Sequence, residues 1–335
     1  MAKSQKLKAL QESIKSVRRQ IDAATGTVPA EAIATLRQVI ASHQSVAIAQ
    51  VAKLVAQHHL KALMPDLAAQ FERMRSGAAT DPNCIAKQAI ADALYRLEYA
   101  ETELFLNGIH HRQMEPVWGK TVDTAPGLRA ICALGLVRVH YREVLIELAD
   151  LLADCEPEAR IGAARAIAYS ENPSGVALLR LKVRLGDDHP QVLSECFVAL
   201  LTLAPQASFS LVASFLDTAE SAVCELAALA LGEARLPEAF APLKAVWQRT
   251  REVDLRGTLL LSIATLRSTE AIEFLVGLVE RGNLADAKAA IAALHIYRTV
   301  DDIWSRVQQA AQLSGDTQRL DLLPSPSNLI KDNKT

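Results

Sequence analysis

The residues with the most chemistry to offer stand together in one stretch, Asn107-Gly-Ile-His-His-Arg-Gln-Met-Glu-Pro-Val-Trp-Gly-Lys-Thr-Val-Asp123. It holds a histidine pair, an arginine, a glutamate and one of only three tryptophans in the chain. Adjacent His110 and His111 would point about 100° apart on a helix and do not share one ion, and the same holds for His58 and His59. No HExxH motif sets two histidines and a glutamate on a shared helical face, so no metal and no cofactor is expected. A GxxxxGK(S/T) phosphate loop, a GxGxxG turn and a GxSxG elbow are all missing. Nothing around Cys84, Cys155 or Cys224 selects a nucleophile, and the sequence assigns no catalytic residue.

The stretch suits contact better than catalysis. A tryptophan beside mixed charges has the composition of a binding anchor, so His110, Arg112, Glu115 and Trp118 are candidate contact residues. The competing reading tucks Trp118 under the stretch as a clamp. Gly108, Pro116 and Gly119 interrupt helix, which predicts a long loop over 107–123 between two helical pairs. Arg129 and Arg160 are further candidates. A strip made by Arg160, Arg165, Arg180 and Arg184 is flanked by Glu156, Glu158, Asp187 and Asp188, and the favoured reading there is pairing of neighbouring units through carboxylates.

These residues sit within a repeat. One short apolar word recurs with its last residue at Leu136, Leu200, Leu231 and Leu294, and in variant form at Ile167 and Ile263, so the steps are 31 to 33 residues. Fainter copies end at Leu54 and Leu94, where each step holds about nine extra residues. A fixed period of this size with apolar residues at helical spacing is the mark of stacked helical hairpins. Half of the residues are hydrophobic and only 4% aromatic, which suits close helix packing and predicts almost no strand.

Residues 2–23 carry Leu7, Leu10, Ile14, Val17 and Ile21 at steps of three and four, an amphipathic helix expected to cap the first pair. The chain is therefore divided into a cap at 1–24, a stack at 25–312 with irregular first units, and a flexible or extended tail at 313–335. A net charge of −2 gives no overall field to gather nucleic acid or an anionic membrane, and no apolar run is long enough to span one. The cysteines lack a CxxC pair and read as thiols of a reducing, cytoplasmic setting.

The segment Glu158-Ala-Arg-Ile-Gly-Ala-Ala-Arg-Ala-Ile167 resembles the HEAT-repeat consensus, as do the aliphatic-arginine steps Leu128-Arg129, Ala159-Arg160 and Leu255-Arg256. Val192-Leu193 and Val223-Cys224 depart from it. The resemblance covers about residues 123–310 and implies an all-α, right-handed α-solenoid of about seven or eight HEAT-like helical hairpins. It further implies a non-catalytic scaffold that contacts one or more proteins or peptides through its inner face and the 107–123 loop. Bacterial HEAT-like bilin lyases and chromophore-attachment chaperones supply one alternative, and HEAT-like nucleic-acid-binding proteins a second that the near-neutral charge disfavours. Oligomeric state is open.

Overall fold

The computed structural model describes residues 2–23, 28–77 and 80–323. The chain divides into two compact units, Met1–Gly175 and Val176–Thr335.

The first unit opens with α1 (Ala2–Ala23). Its apolar seam buries Ile14, Val17 and Ile21, and the helix packs on α2 (Ala30–Ile40) and α3 (Ser45–Gln57). Gly26, which with Pro29 is expected from the sequence to end this helix, lies outside the described residues. Three hairpins come next: α4 (Met64–Arg75) with α5 (Ile85–Arg96), α6 (Thr102–Ile109) with α7 (Pro126–Arg138), and α8 (Val144–Leu152) with α9 (Pro157–Tyr169). The second helices stack in the order α3, α5, α7, α9.

The second unit repeats the plan. Its helices are α10 (Gly175–Leu185), α11 (Pro190–Leu203), α12 (Pro205–Ala213), α13 (Ser221–Ala234), α14 (Phe240–Arg249), α15 (Val253–Thr265), α16 (Thr269–Arg281) and α17 (Leu284–Leu294). Here α11, α13, α15 and α17 form the inner stack. Both units are thus all-α solenoid layers of HEAT-like hairpins. The repeated word sets the register, because Leu94, Leu136, Ile167, Leu200, Leu231, Ile263 and Leu294 are all fully buried. Burying an aliphatic side chain of this kind contributes roughly 1.5 to 3 kcal/mol. Prolines start several helices at their first turn, where an amide has no partner to lose: Pro126, Pro157, Pro190 and Pro205.

Two expectations need correction. Residues 313–335 do not begin as a tail: after α18 (Asp301–Leu313) comes the short α19 (Thr317–Asp321), started by an Asp316 side chain that accepts from the Gln318 N–H. Arg319 holds it by donating to the carbonyls of Val279 at 2.7 Å, Glu280 at 2.8 Å and Gly282 at 2.7 Å. Residues 324–335 lie outside the described part. The second correction concerns 107–123. Residues 107–109 finish α6, 110–113 are an irregular connection, and 114–123 are not a loop but a β-hairpin, β1 (Met114–Val117) paired antiparallel with β2 (Lys120–Asp123).

Candidate functional site

The hairpin forms for reasons that lie in its residues. Val117 pairs with Lys120, so Trp118 and Gly119 make a two-residue turn, and both have positive φ, 37° and 81°. That is the backbone a tight right-twisted hairpin demands, and Gly119 supplies it without strain. The Thr124 N–H donates to the Gln113 carbonyl at 2.9 Å, and alternation from that pair places Pro116 opposite Thr121 at a position facing away from its partner strand. The ring therefore interrupts no ladder bond. Gly108 does a different job from the breaker expected of it: a Cβ there would stand 2.2 Å from the Cys132 sulfur, so the glycine lets α6 lie close on α7. Gly135 does the same for the Phe105 ring.

Beneath the hairpin is a buried ionic lock. Arg129 of α7 has no exposed surface, and its Nη1 donates to Asp123 Oδ2 at 2.7 Å and to the His111 carbonyl at 3.1 Å. Its Nη2 donates to Asp154 Oδ1 at 3.1 Å, while Nε lies 3.0 Å from Asp154 Oδ2. Arg112 reaches the same Asp154 from the outer side. Arg160 is 7% exposed and donates to the carbonyls of Asp154 and Cys155, both at 2.9 Å. Two aspartates and three arginines from the hairpin and the segment before it, α7, the α8–α9 connection and α9 thus share one knot.

Its electrostatics are consistent. Burial pushes the Asp123 carboxyl up, but the amides of Ala125 and Gln113 and the Arg129 guanidinium outweigh it and hold the group below the usual carboxylate range. Asp154 shows the same pattern, with burial opposed by the Glu156 amide, Arg112 and Arg129. Burial also depresses His111, helped by nearby Lys87, so the imidazole is neutral.

A second set of bonds ties β1 to the preceding hairpin. Glu115 accepts from the Asn83 N–H at 2.8 Å and from the Thr124 hydroxyl at 3.2 Å, and Gln113 donates both to it and, at 2.7 Å, to the Asp81 carbonyl. The Lys87 ammonium, almost fully buried, donates to the Gln113 side chain. Burial raises Glu115, yet these donors prevail and keep it ionised below its ordinary range.

The sequence-predicted residues therefore separate into layers. Trp118 is 102% exposed at the apex, next to exposed Val117, and it is not tucked beneath anything. His110 lies at the foot, 3.0 Å from the Glu147 carboxylate, beside a cleft of about 90 Å³ bounded by Arg112, Asp150 and Asp154. Glu115 turns inward, Arg112 is half engaged, and Arg129 and Arg160 are enclosed. Sequence reasoning missed Asp123, Asp154, Gln113 and Lys87; only Lys87 left a signal, a charge at an otherwise apolar position of α5, while the other three lie on a strand or in connections. It also missed a cluster on the second-helix ends of this unit. There Arg138 stacks 3.9 Å from the Tyr95 ring centroid and donates to the Tyr169 hydroxyl at 3.3 Å.

Among the described residues no group of three or more His, Cys, Asp or Glu is arranged to hold a metal ion, and no helix is long and apolar enough to cross a membrane. Cys84, Cys132, Cys196 and Cys224 are buried free thiols, and Cys155 is exposed.

No family model matches the chain, and no curated protein sequence matches it. Among solved structures, the complex of CpcE and CpcF of phycocyanin lyase from Nostoc sp. PCC7120 is similar with a TM-score of 0.39 and 15% identity, over 73% of this chain and 92% of that one. Human deoxyhypusine hydroxylase in complex with glycerol is similar with a TM-score of 0.27 and 12% identity, over 87% of this chain and 98% of that one. Neither likeness carries a ligand or an activity over to this chain.

Proposed function

We propose that the protein is a non-catalytic interaction scaffold that presents the β1–β2 hairpin to a partner protein, with Trp118 as the anchor. The observation that carries this reading is an aromatic side chain left wholly in water, in a left-handed backbone conformation that costs of order 1 kcal/mol, at the tip of an element whose base is fixed by buried ion pairs. A bulky residue gains nothing there from its own fold. Its backbone is already fixed by the hairpin, so binding need order only the side chain, which favours its use as a hot spot. Val117, exposed beside the turn, widens the apolar tip.

A photo-crosslinking amino acid placed at position 118 tests the reading in the protein's own cell. A discrete protein adduct is expected, and Trp118→Ala should remove the same partner from co-purification while the melting temperature holds. Retention of every partner by Trp118→Ala would overturn the hairpin as contact surface. Absorbance change on adding a bilin, or salt-dependent retention on duplex DNA, would move the reading to the alternatives raised by the repeat pattern.

A further inference from the structure

A second surface stands out at the start of the first unit. Between α1 and α3 runs a groove of about 630 Å³ lined by Gln11, Lys15 and Arg18 from α1 and by Gln50, Lys53 and Gln57 from α3. Ile14 and Leu54 form its floor, and no carboxylate lines it. The helix that makes one wall has six Lys and Arg against two acids, a net of +4 on a chain whose total is −2.

The cations are available. Lys15 pairs with Glu12 at 2.8 Å and Arg18 with Asp22 at 3.8 Å, both along the exposed face of α1, where solvent keeps such pairs weak. The Lys15 ammonium also depresses Glu12 by hydrogen bond and charge, so that acid stays ionised and offsets part of the Lys15 charge from outside the groove. Lys53 has no ion pair among the described residues.

We infer that this groove takes an acidic amphipathic helix from a partner protein. The lining residues span two turns of each wall, about 10 Å. An apolar floor with Lys15 and Arg18 on one wall and Lys53 on the other matches a helix that presents a leucine stripe flanked by glutamates. The methylene stems of the lysines, arginine and glutamines add apolar wall, while their ends meet the acids. A phosphate backbone would gain nothing from Ile14 and Leu54, and no aromatic ring is present to stack a base. The long-range field of α1 would also steer an acidic segment toward an otherwise slightly negative molecule. The inference stands apart from the hairpin reading, because it uses other residues at another place in the unit.

The test uses the full chain and a fluorescent 14-residue synthetic helix with leucines at i, i+3 and i+7 and glutamates on both flanks. A scrambled peptide of the same composition and a 14-nucleotide oligo(dT) serve as competitors. Saturable binding at about 10 to 100 μM is expected at low salt. Lys53→Glu should weaken it about tenfold, whereas Lys8→Glu, the same charge change on α1 outside the groove, should weaken it less than about twofold. Trp118→Ala should leave it unchanged. Circular dichroism melts confirm that the variants fold, and the milder Lys53→Gln should still show a loss of about threefold or more. Failure to bind, equal binding of the scrambled peptide, tighter binding of oligo(dT), or equal losses from Lys8→Glu and Lys53→Glu would each overturn the inference.

Discussion

Arg129 in the first unit and Arg256 in the second occupy the same step of their second helices, and they are used differently. Arg256 donates to the carbonyls of Trp247 at 2.8 Å and Thr250 at 3.0 Å, stacks 4.3 Å from the Trp247 ring and pairs with Asp286 of the next second helix. It closes an ordinary connection and clips one layer to the next. Arg129 keeps the carbonyl and the downstream aspartate, as His111 and Asp154, but adds Asp123 from the hairpin. A residue type that repeats for structural reasons has become the lock of an inserted element. Where the arginine step is missing, Cys224 stands there and faces the Leu216 carbonyl at 3.4 Å, and Arg249 of α14 donates to that carbonyl at 3.3 Å. The bond to the turn is kept while its donor moves to another helix.

The comparison can be broken most sharply at Arg129. Its removal leaves Asp123 and Asp154 buried with their charge half answered, so Arg129→Met should cost about 3 to 5 kcal/mol and expose 114–123 to hydrogen exchange. Arg256→Met is expected to cost less, because Asp286 is partly solvated. Equal losses in denaturant titrations would mean that the hairpin adds nothing to the burden on Arg129.

A second test compares layers rather than arginines. Leu200→Ala or Leu231→Ala in the regular stack of the second unit should cost about 2 to 5 kcal/mol through the cavity left behind. Urea midpoints at the parent value would refute the register of the repeated word.

Acid should act next, and mainly on the lock. His111 is depressed by burial, so the unfolded chain takes its proton first, and stability falls as pH drops below about 6.5 toward the lower folded value. Asp123, Asp154 and Glu115 are also held below their ordinary values. Their contribution is complete above about pH 4 and disappears as pH falls through the folded pKa values. Exchange protection at 114–123 should therefore weaken in two steps on acidification, and a pH-independent profile from 7 to 3 would contradict the network.

The smallest effect separates presentation from folding. Asparagine tolerates the left-handed backbone better than tryptophan, so Trp118→Asn should stabilise the turn by up to about 1 kcal/mol while abolishing the proposed contact. A hairpin destabilised by Trp118→Asn would mean that the ring supports the fold.

The stack was legible in the sequence because its signal is periodic and apolar: a word returning every 31 to 33 residues with a buried last residue needs no knowledge of partners. The hairpin was not, because Gly108, Pro116 and Gly119 were all taken as breakers. Only Gly119 serves a turn, whereas Gly108 permits close packing and Pro116 faces outward from a strand. Val117 and Lys120 around Trp118-Gly119, with β-branched Thr121 and Val122 beyond, were the available sign. The enclosure of Arg129 was hidden for another reason: Asp154 lies 25 positions away and joins the site only through the fold.

The outward-facing Pro116 bears on how the molecule behaves in a crowded solution. A two-stranded ribbon with an apolar tip is a template for strand addition between copies, the usual route to edge-to-edge aggregation. Proline offers no N–H to an incoming strand, so the β1 edge has a gap where a docking ladder would need a donor. On β2, Lys120 puts a charge beside the tip, and exposed Thr121 offers one outward position before the buried Asp123 ends the strand. The hairpin can hold Trp118 in water because neither of its edges is long enough, or complete enough, to recruit another copy of itself.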